Sequence, residues 1–320
     1  MIKTLKTKQF KITAFVLAVV LTLSCVFWNS TKVHALEIDG ANVQTFNLDG
    51  SSTSSALTSG SFSLFFNCGT DDDSKFVADC EKWTYTDGKW QFDKTGTDTE
   101  QLLWKGGNAE VKWIAAYPYR GHQYSHVAND IIGGMEEEVP ADQTDKAKWN
   151  GFDVLWASGT TTDGSLDINF KHLYTKFSVN LTYGTEVADG VTVKSVTIGG
   201  TYIVRHFHYA TATWGETMLD ITDIKALALE TPNYLDEDDK DKGRYDASFE
   251  ALIIPQTAAP KLTIEMSDGR VFATTLTEQE FKSGYQYNIK LKVGQDKVEL
   301  GGITAAEWGE PVDGGLLETL

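Results

Sequence analysis

The sequence predicts an all-β protein built as β-sandwiches, on three observations. Apolar residues recur at every second position along much of the chain, turn sequences cut these runs into short lengths, and helical spacing is rare. With 320 residues, the chain has room for two domains. An aromatic content of 12%, with 9 Trp, supplies enough apolar surface for real cores and excludes a disordered chain.

In chain order, the first element is a leader. Lys3, Lys6, Lys8 and Lys11 precede a nearly unbroken apolar run from Ile12 to Trp28, and Val33-His34-Ala35 closes a short polar stretch. This reads as a secretory signal peptide over residues 1–35, cleaved between Ala35 and Leu36. An uncleaved anchor helix and lipidation at Cys25, preceded by Leu23-Ser24, are the other two readings of the same segment.

Thr84 to Phe92 reads as a hairpin around Asp87-Gly88, a pair suited to the positive φ angles of a tight turn. Gly159 to Gly164 is the most turn-like stretch near the middle, and it sets a domain boundary after residue 164, giving domains 36–164 and 165–320. A phase slip between Phe170 and Phe177, and another within Val191–Ile198, suggest bulges. Gly215 to Leu229 carries the best helical signal, with Met218, Ile221, Ile224 and Leu227 near a 3.6 period, and Thr231-Pro232 ends it. Leu262, Ile264 and Met266 form a strand that Ser267-Asp268-Gly269 turns into Val271–Thr275. Tyr285, Tyr287, Ile289, Leu291 and Val293 alternate with polar residues as a half-buried strand.

Charge narrows the partners. Lys+Arg number 28 against 45 Asp+Glu, and losing the first 35 residues, with five lysines and no acid, leaves 23 against 45, or −22. Such a surface repels phosphate backbones and anionic headgroups, which excludes nucleic acid as a partner and leaves a lipid anchor as the one route to a membrane. Past the leader only Cys68 and Cys80 remain, with eleven residues between them. In an exported chain they fit one disulfide, worth roughly 3 kcal/mol if unstrained, or else two buried thiols.

Catalytic patterns are missing. Gly-x-Ser-x-Gly, His-Glu-x-x-His, a P-loop, GxGxxG and CxxC do not occur, so no enzyme activity and no cofactor are expected. His122 and His126 sit four apart in a loop sequence, and His206 and His208 share a strand face beside Arg205, where they read either as an anion contact or as ordinary packing. Asp236 to Gly243 fails the calcium-loop pattern because Lys240 and Lys242 stand at ligand positions. Asp71-Asp72-Asp73 reads as a solvated acidic loop. Among the tryptophans, Trp83 and Trp90 flank the hairpin turn and are the candidates for a sugar-stacking platform, with core packing as the alternative.

Several phrases together resemble one family. Trp113-Ile-Ala-Ala-Tyr-Pro-Tyr119 is similar to an F-x-A-Y-Y-P-Y segment. Phe152 to Ala157 resembles a D-L-L-x-A strand. Leu166 to His172 followed by Lys176 to Leu181 resembles L-x-F-x-H-x-x-x-K-x-x-x-x-L. Leu252-Ile-Ile-Pro-Gln256, Gly284 to Leu291 and Ile303 to Trp308 complete the order. The set resembles the fimbrillins, type V pilins of Bacteroidetes. The resemblance implies two transthyretin-like β-sandwich domains in tandem and a fimbrial subunit or surface adhesin, exported to the cell surface or outer membrane. Its partners would be other fimbrial subunits and a host or bacterial receptor. It also implies assembly by strand donation, in which an N-terminal strand is removed and a neighbour's strand fills the groove.

Val43, Thr45, Phe46 and Leu48 are the candidate residues of that first strand, from alternation. No Lys falls between Lys32 and Lys75, and the first Arg is Arg120, so a trypsin-like protease has no site from Leu36 to Thr58. Gly314 to Leu320 is short for a donor strand, which normally pairs over about 5–6 residues or more. A surface glycan-binding protein of a polysaccharide uptake system, with Trp83 and Trp90 as its platform, is the second functional reading.

Overall fold

The computed structural model describes residues 34–35, 37–46, 52–67, 78–95, 103–104, 110–121, 135–236 and 239–308. Its strands are β1 (His34–Ala35), β2 (Glu37–Phe46), β3 (Ser52–Ala56), β4 (Ser61–Asn67), β5 (Ala78–Thr86), β6 (Lys89–Phe92), β7 (Leu103–Trp104), β8 (Val111–Tyr117), β9 (Met135–Glu138), β10 (Leu155–Thr161), β11 (Ser165–His172) and β12 (Thr175–Tyr183). They continue with β13 (Val193–Gly199), β14 (Tyr202–His208), β15 (Thr213–Ile221), β16 (Ile224–Lys225), β17 (Leu227–Ala228), β18 (Ala247–Ile253), β19 (Gln256–Ala258), β20 (Lys261–Met266), β21 (Val271–Thr275), β22 (Gln279–Phe281), β23 (Tyr285–Val293) and β24 (Val298–Glu307). Among the described residues, one α-helix, α1 (Lys146–Phe152), starts on Asp145, whose side chain accepts from the Ala147 N–H. The protein is all-β, as its sequence pattern requires.

An eight-stranded sheet runs in the order β3-β2-β11-β10-β8-β4-β5-β6. Phe62, Leu64, Trp113, Ala115, Leu166, Ile168 and Phe170 alternate along three of its strands and meet in one apolar cluster. The intervening residues Phe65, Ile114 and Ala116 join a second cluster, so β4 and β8 are buried on both faces. The β5–β6 turn has Asp87 at φ 54° and Gly88 at φ 79°, the pair of positive angles expected of Asp-Gly. At Gly159, an added Cβ would lie 2.5 Å from the Trp113 ring, so the absence of a side chain there is what lets the indole cross β10.

The second cluster lies between a five-stranded sheet, β17-β18-β12-β23-β24, and a four-stranded sheet, β16-β13-β20-β21. β12 and β23 run parallel, placing Phe177 opposite Tyr287, Val179 opposite Ile289 and Leu181 opposite Leu291. Val196, Ile198, Leu262 and Ile264 supply the facing side. The register slips between Val193 and Ser195, the bulge read from the sequence. A three-stranded sheet, β15-β14-β9, and the pairs β19–β22 and β1–β7 complete the ladders.

Two readings need correcting. Gly215–Leu229 is not helical: β15 takes up its first part, to Ile221, and pairs antiparallel with β14, and two short strands, β16 and β17, follow. The spacing that looked helical splits physically, because Ile224 and Leu227 are buried whereas Ile221 is 61% exposed. The slip near residue 172 is a change of sheet, not a bulge. β11 ends at His172 and β12 begins at Thr175, so Leu173-Tyr174 carry the chain from one sheet to the other. The boundary expected after residue 164 falls in the turn joining β10 to β11, neighbours in a single sheet.

Candidate functional site

β2 occupies a slot between two strands that come later in the chain. It runs parallel to β11, from Glu37 opposite Ser165 to Val43 opposite Phe170, with a slip between Leu166 and Asp167. On its other side it pairs antiparallel with β3, from Asn42 opposite Ala56 to Phe46 opposite Ser52. Ala41 is buried in the apolar cluster with Leu57, Phe62, Ile168 and Phe170, and Ile38 packs against the same cluster. β2 also lies alongside β6, the far edge of the sheet, so the sheet curls around its core. Of the residues expected in the first strand, Val43, Thr45 and Phe46 belong to β2, and Leu48 lies outside the described residues.

The sugar-platform reading is overturned by burial. Trp83 is 2% exposed and Trp90 7%, and neither offers an open face to a sugar ring. Trp90 instead packs on Phe62 with centroids 4.7 Å apart and on Tyr85 at 5.4 Å, while the Trp83 indole N–H donates to Glu81 Oε2 over 3.3 Å. Alternation put both rings on the core face of the hairpin, and their size filled the core. Cys80 is buried, its Sγ 3.3 Å from Ser63 Oγ and 3.2 Å from the Gly121 carbonyl oxygen. Its expected partner Cys68 lies outside the described residues, as do Cys25, Leu36, Asp71–Asp73, His122 and His126.

The anion contact beside His206 and His208 is not assembled. Arg205 donates from Nε to the Gly215 carbonyl over 2.7 Å and from Nη1 to the Pro255 carbonyl, and its guanidinium lies over Trp214. His206 meets Glu136 at 3.1 Å. In the acidic loop, Lys242 sits between Asp236 and Asp239, at 2.5 and 3.6 Å, where a cation would have to bind. No three His, Cys, Asp or Glu side chains gather as a metal site among the described residues, and none of their helices is long and apolar enough to cross a membrane. At the edge of the β5–β6 hairpin, a hydrogen bond from Lys82 holds the Asp93 carboxyl down to about 2.

A buried charge cluster forms where the chain crosses between the sheets. His172 Nδ1 lies 2.9 Å from Asp153 Oδ2, and the Trp308 indole stacks on the imidazole at 3.9 Å and 11°. Lys176 lies 5.5 Å from the same indole and 3.2 Å from Glu250 Oε1, with both members of that ion pair buried. Neither Glu250 oxygen has a hydrogen bond, so among the described residues its charge is met by Lys176. Trp308 donates its backbone N–H to the Gly284 carbonyl over 2.9 Å, which fixes the end of β24 at this junction. Glu137 is fully buried and accepts from the hydroxyls of Tyr174, two residues after His172, and Tyr209 at 2.8 and 2.6 Å and from Arg120 at 3.0 Å.

These contacts explain phrases that the sequence analysis could only quote. Trp308 lies more than 130 residues beyond His172 and Lys176 and comes together with them as one stack. Gln256 follows Pro255, which has no N–H to give. Its side-chain amide both donates to the Tyr202 carbonyl and accepts from the Tyr202 N–H, each at 2.9 Å, and so stands in for a strand's backbone. Gln143 does the same for Leu252, accepting at 2.7 Å and donating at 2.8 Å. The sequence reading missed Glu137, Asp153 and Glu250. The available signal was an acid inside an apolar run, as in Phe249-Glu250-Ala251-Leu252.

Comparison with known proteins places this architecture. The sequence profile of the fimbrillin-like family matches residues 52–308. No curated protein sequence matches the chain. Among solved structures, a Bacteroides ovatus protein provisionally described as a cell adhesion protein shares the fold with a TM-score of 0.65 at 14% identity, over 87% of this chain and 98% of that one. A Bacteroides uniformis protein with the same description gives 0.58 at 15%, over 87% and 99%. A fimbrial protein from Bacteroides vulgatus gives 0.53 at 14%, again over 87% and 99%.

Proposed function

The chain belongs to the fimbrillin-like family, and from that premise we propose that it is a fimbrial subunit or surface adhesin whose joint forms by replacement of β2. The observation that carries this reading is the seat of β2. A strand from the start of the described chain lies between β11 and β3, outside the matched residues 52–308. Taking it away uncovers a ladder of backbone donors and acceptors on β11 together with the apolar cluster around Ile168 and Phe170. An open ladder beside alternating apolar seats is what an incoming strand binds. A joint of this kind separates slowly, because parting exposes the whole groove at once.

The same reading puts the protein at the cell surface, exported through cleavage after Ala35 or lipidation at Cys25, with other fimbrial subunits as partners. It sets two β-sandwich domains that divide at Leu173-Tyr174, where the chain changes sheets, instead of after residue 164. Release of β2 falls to a protease that does not require Lys or Arg, since neither residue occurs between Lys32 and Lys75.

Light scattering on the mature chain and on a variant lacking residues 36–50 tests the proposal. The mature chain is expected to stay monomeric, and the shortened chain to form concentration-dependent oligomers that resist mild detergent. A shortened chain that is monomeric and melts at the same temperature as the parent would show that β2 is not a replaceable part of the fold.

A further inference from the structure

Four acidic side chains are buried among the described residues. Glu137 accepts three hydrogen bonds, Glu81 accepts one from Trp83, and Asp153 meets His172. Glu250 accepts none at either oxygen. One lysine is buried among the same residues, Lys176, and its Nζ lies 3.2 Å from Glu250 Oε1. The β12–β18 ladder brings the two together. Ser178 stands opposite Glu250 and Lys176 opposite Leu252, so Lys176 and Glu250 are diagonal neighbours on one face of the sheet. Their side chains are 2% and 0% exposed, and Trp308 lies against the lysine.

An ion pair is a poor way to stabilise such a place, since apolar residues of like volume often do as well or better. It is a good way to hold an amine against a carboxyl group out of reach of water. We propose that Lys176 and Glu250, once the chain has folded, condense into an amide between the two side chains.

The ion pair is the starting state. Lys176 passes one proton to Glu250, which leaves a neutral amine beside a carboxylic acid. The nitrogen lone pair then bonds to Glu250 Cδ. The C–OH bond breaks, and its oxygen leaves as water with the proton already received and a second from the nitrogen. Nothing is oxidised or reduced, and no co-reactant is consumed. Three features favour the step. An interior of low polarity penalises the two charges that the amide removes. The paired strands replace a chance encounter of the two groups with a fixed one. The cover over the pair keeps water from reversing the bond once it has formed.

Such a bond acts on load. β11 ends at His172 and β12 begins at Thr175, so tension leaving the first sheet enters the second through β12. A bond at Lys176 carries that tension across to β18 and relieves the chain between residues 176 and 250. The bond itself does not depend on replacement of β2.

Intact mass and a tryptic peptide map of the folded, mature full-length chain test this. The main species is expected to be lighter than its sequence by one water. Trypsin should fail to cut after Lys176, and residues 172–194 should appear joined to residues 245–261 as one branched peptide. Lys176→Arg keeps the charge but cannot form the bond, so it should restore the full mass and a free 245–261 peptide. The parent's own map decides the matter even if that variant fails to fold. A parent of full mass that is cut after Lys176 would overturn the proposal. So would a loss of one water with residues 245–261 recovered unbranched, because the dehydration would then lie elsewhere.

Discussion

Lys176→Met is expected to destabilise the protein by about 3–5 kcal/mol, the usual consequence of leaving a buried charge without its partner. Glu250 sits in β18 with no exposure and, among the described residues, no hydrogen bond to either carboxylate oxygen, so the ammonium 3.2 Å away is what compensates its burial. Methionine keeps most of the volume and the contact with Trp308, which separates loss of charge from loss of packing. The double variant Lys176→Met/Glu250→Gln should recover much of the loss, because no net charge then remains in the pair. Urea unfolding of both variants measures this, and a single variant within about 1 kcal/mol of the parent would mean that the pair is solvated and not structural.

Trp308→Ala should cost a similar amount, about 3–5 kcal/mol, as large aromatic truncations in cores do. The indole is 3% exposed and lies against both His172 and Lys176, so its removal leaves a cavity beside two polar side chains. Trp308→Phe keeps a ring on the imidazole and should lose clearly less. If Trp308→Ala unfolds at the same urea concentration as the parent, the stack does not anchor β24.

Much of the fold was legible where one face of a strand is buried and the other is wet. Tyr287, Ile289, Leu291 and Val293 are buried in alternation, as their spacing required, and Leu262, Ile264 and Met266 behave likewise. Turns were legible where chemistry dictates them: Gly88 and Gly269 both take positive φ. β15 was not legible, because both of its faces are largely exposed and its apolar residues keep no period of two.

The tryptophans misled because ring size says nothing about which face of a hairpin is covered. The domain boundary expected after residue 164 meets a related difficulty. The turn itself is residues 162–164, since β10 runs on to Thr161, and whether a turn divides domains depends on which strands pair across it; β11 pairs with β2 from over a hundred residues away. The junction was the least legible part. His172, Lys176 and Glu250 lie in β11, β12 and β18, Asp153 just after α1 and Trp308 just after β24, and no local pattern marks side chains that meet only through long-range pairing. The family phrases pointed to His172, Lys176 and Trp308 without giving their physical role, which is to hold the crossing between sheets.

The most direct test of the account is the N-terminal sequence and intact mass of the chain recovered from detergent-resistant polymers on its native cell surface. Replacement of β2 predicts subunits that begin after Phe46, with Glu37–Phe46 absent from the polymer. Polymers built from chains that begin at Leu36 and still hold β2 would contradict it.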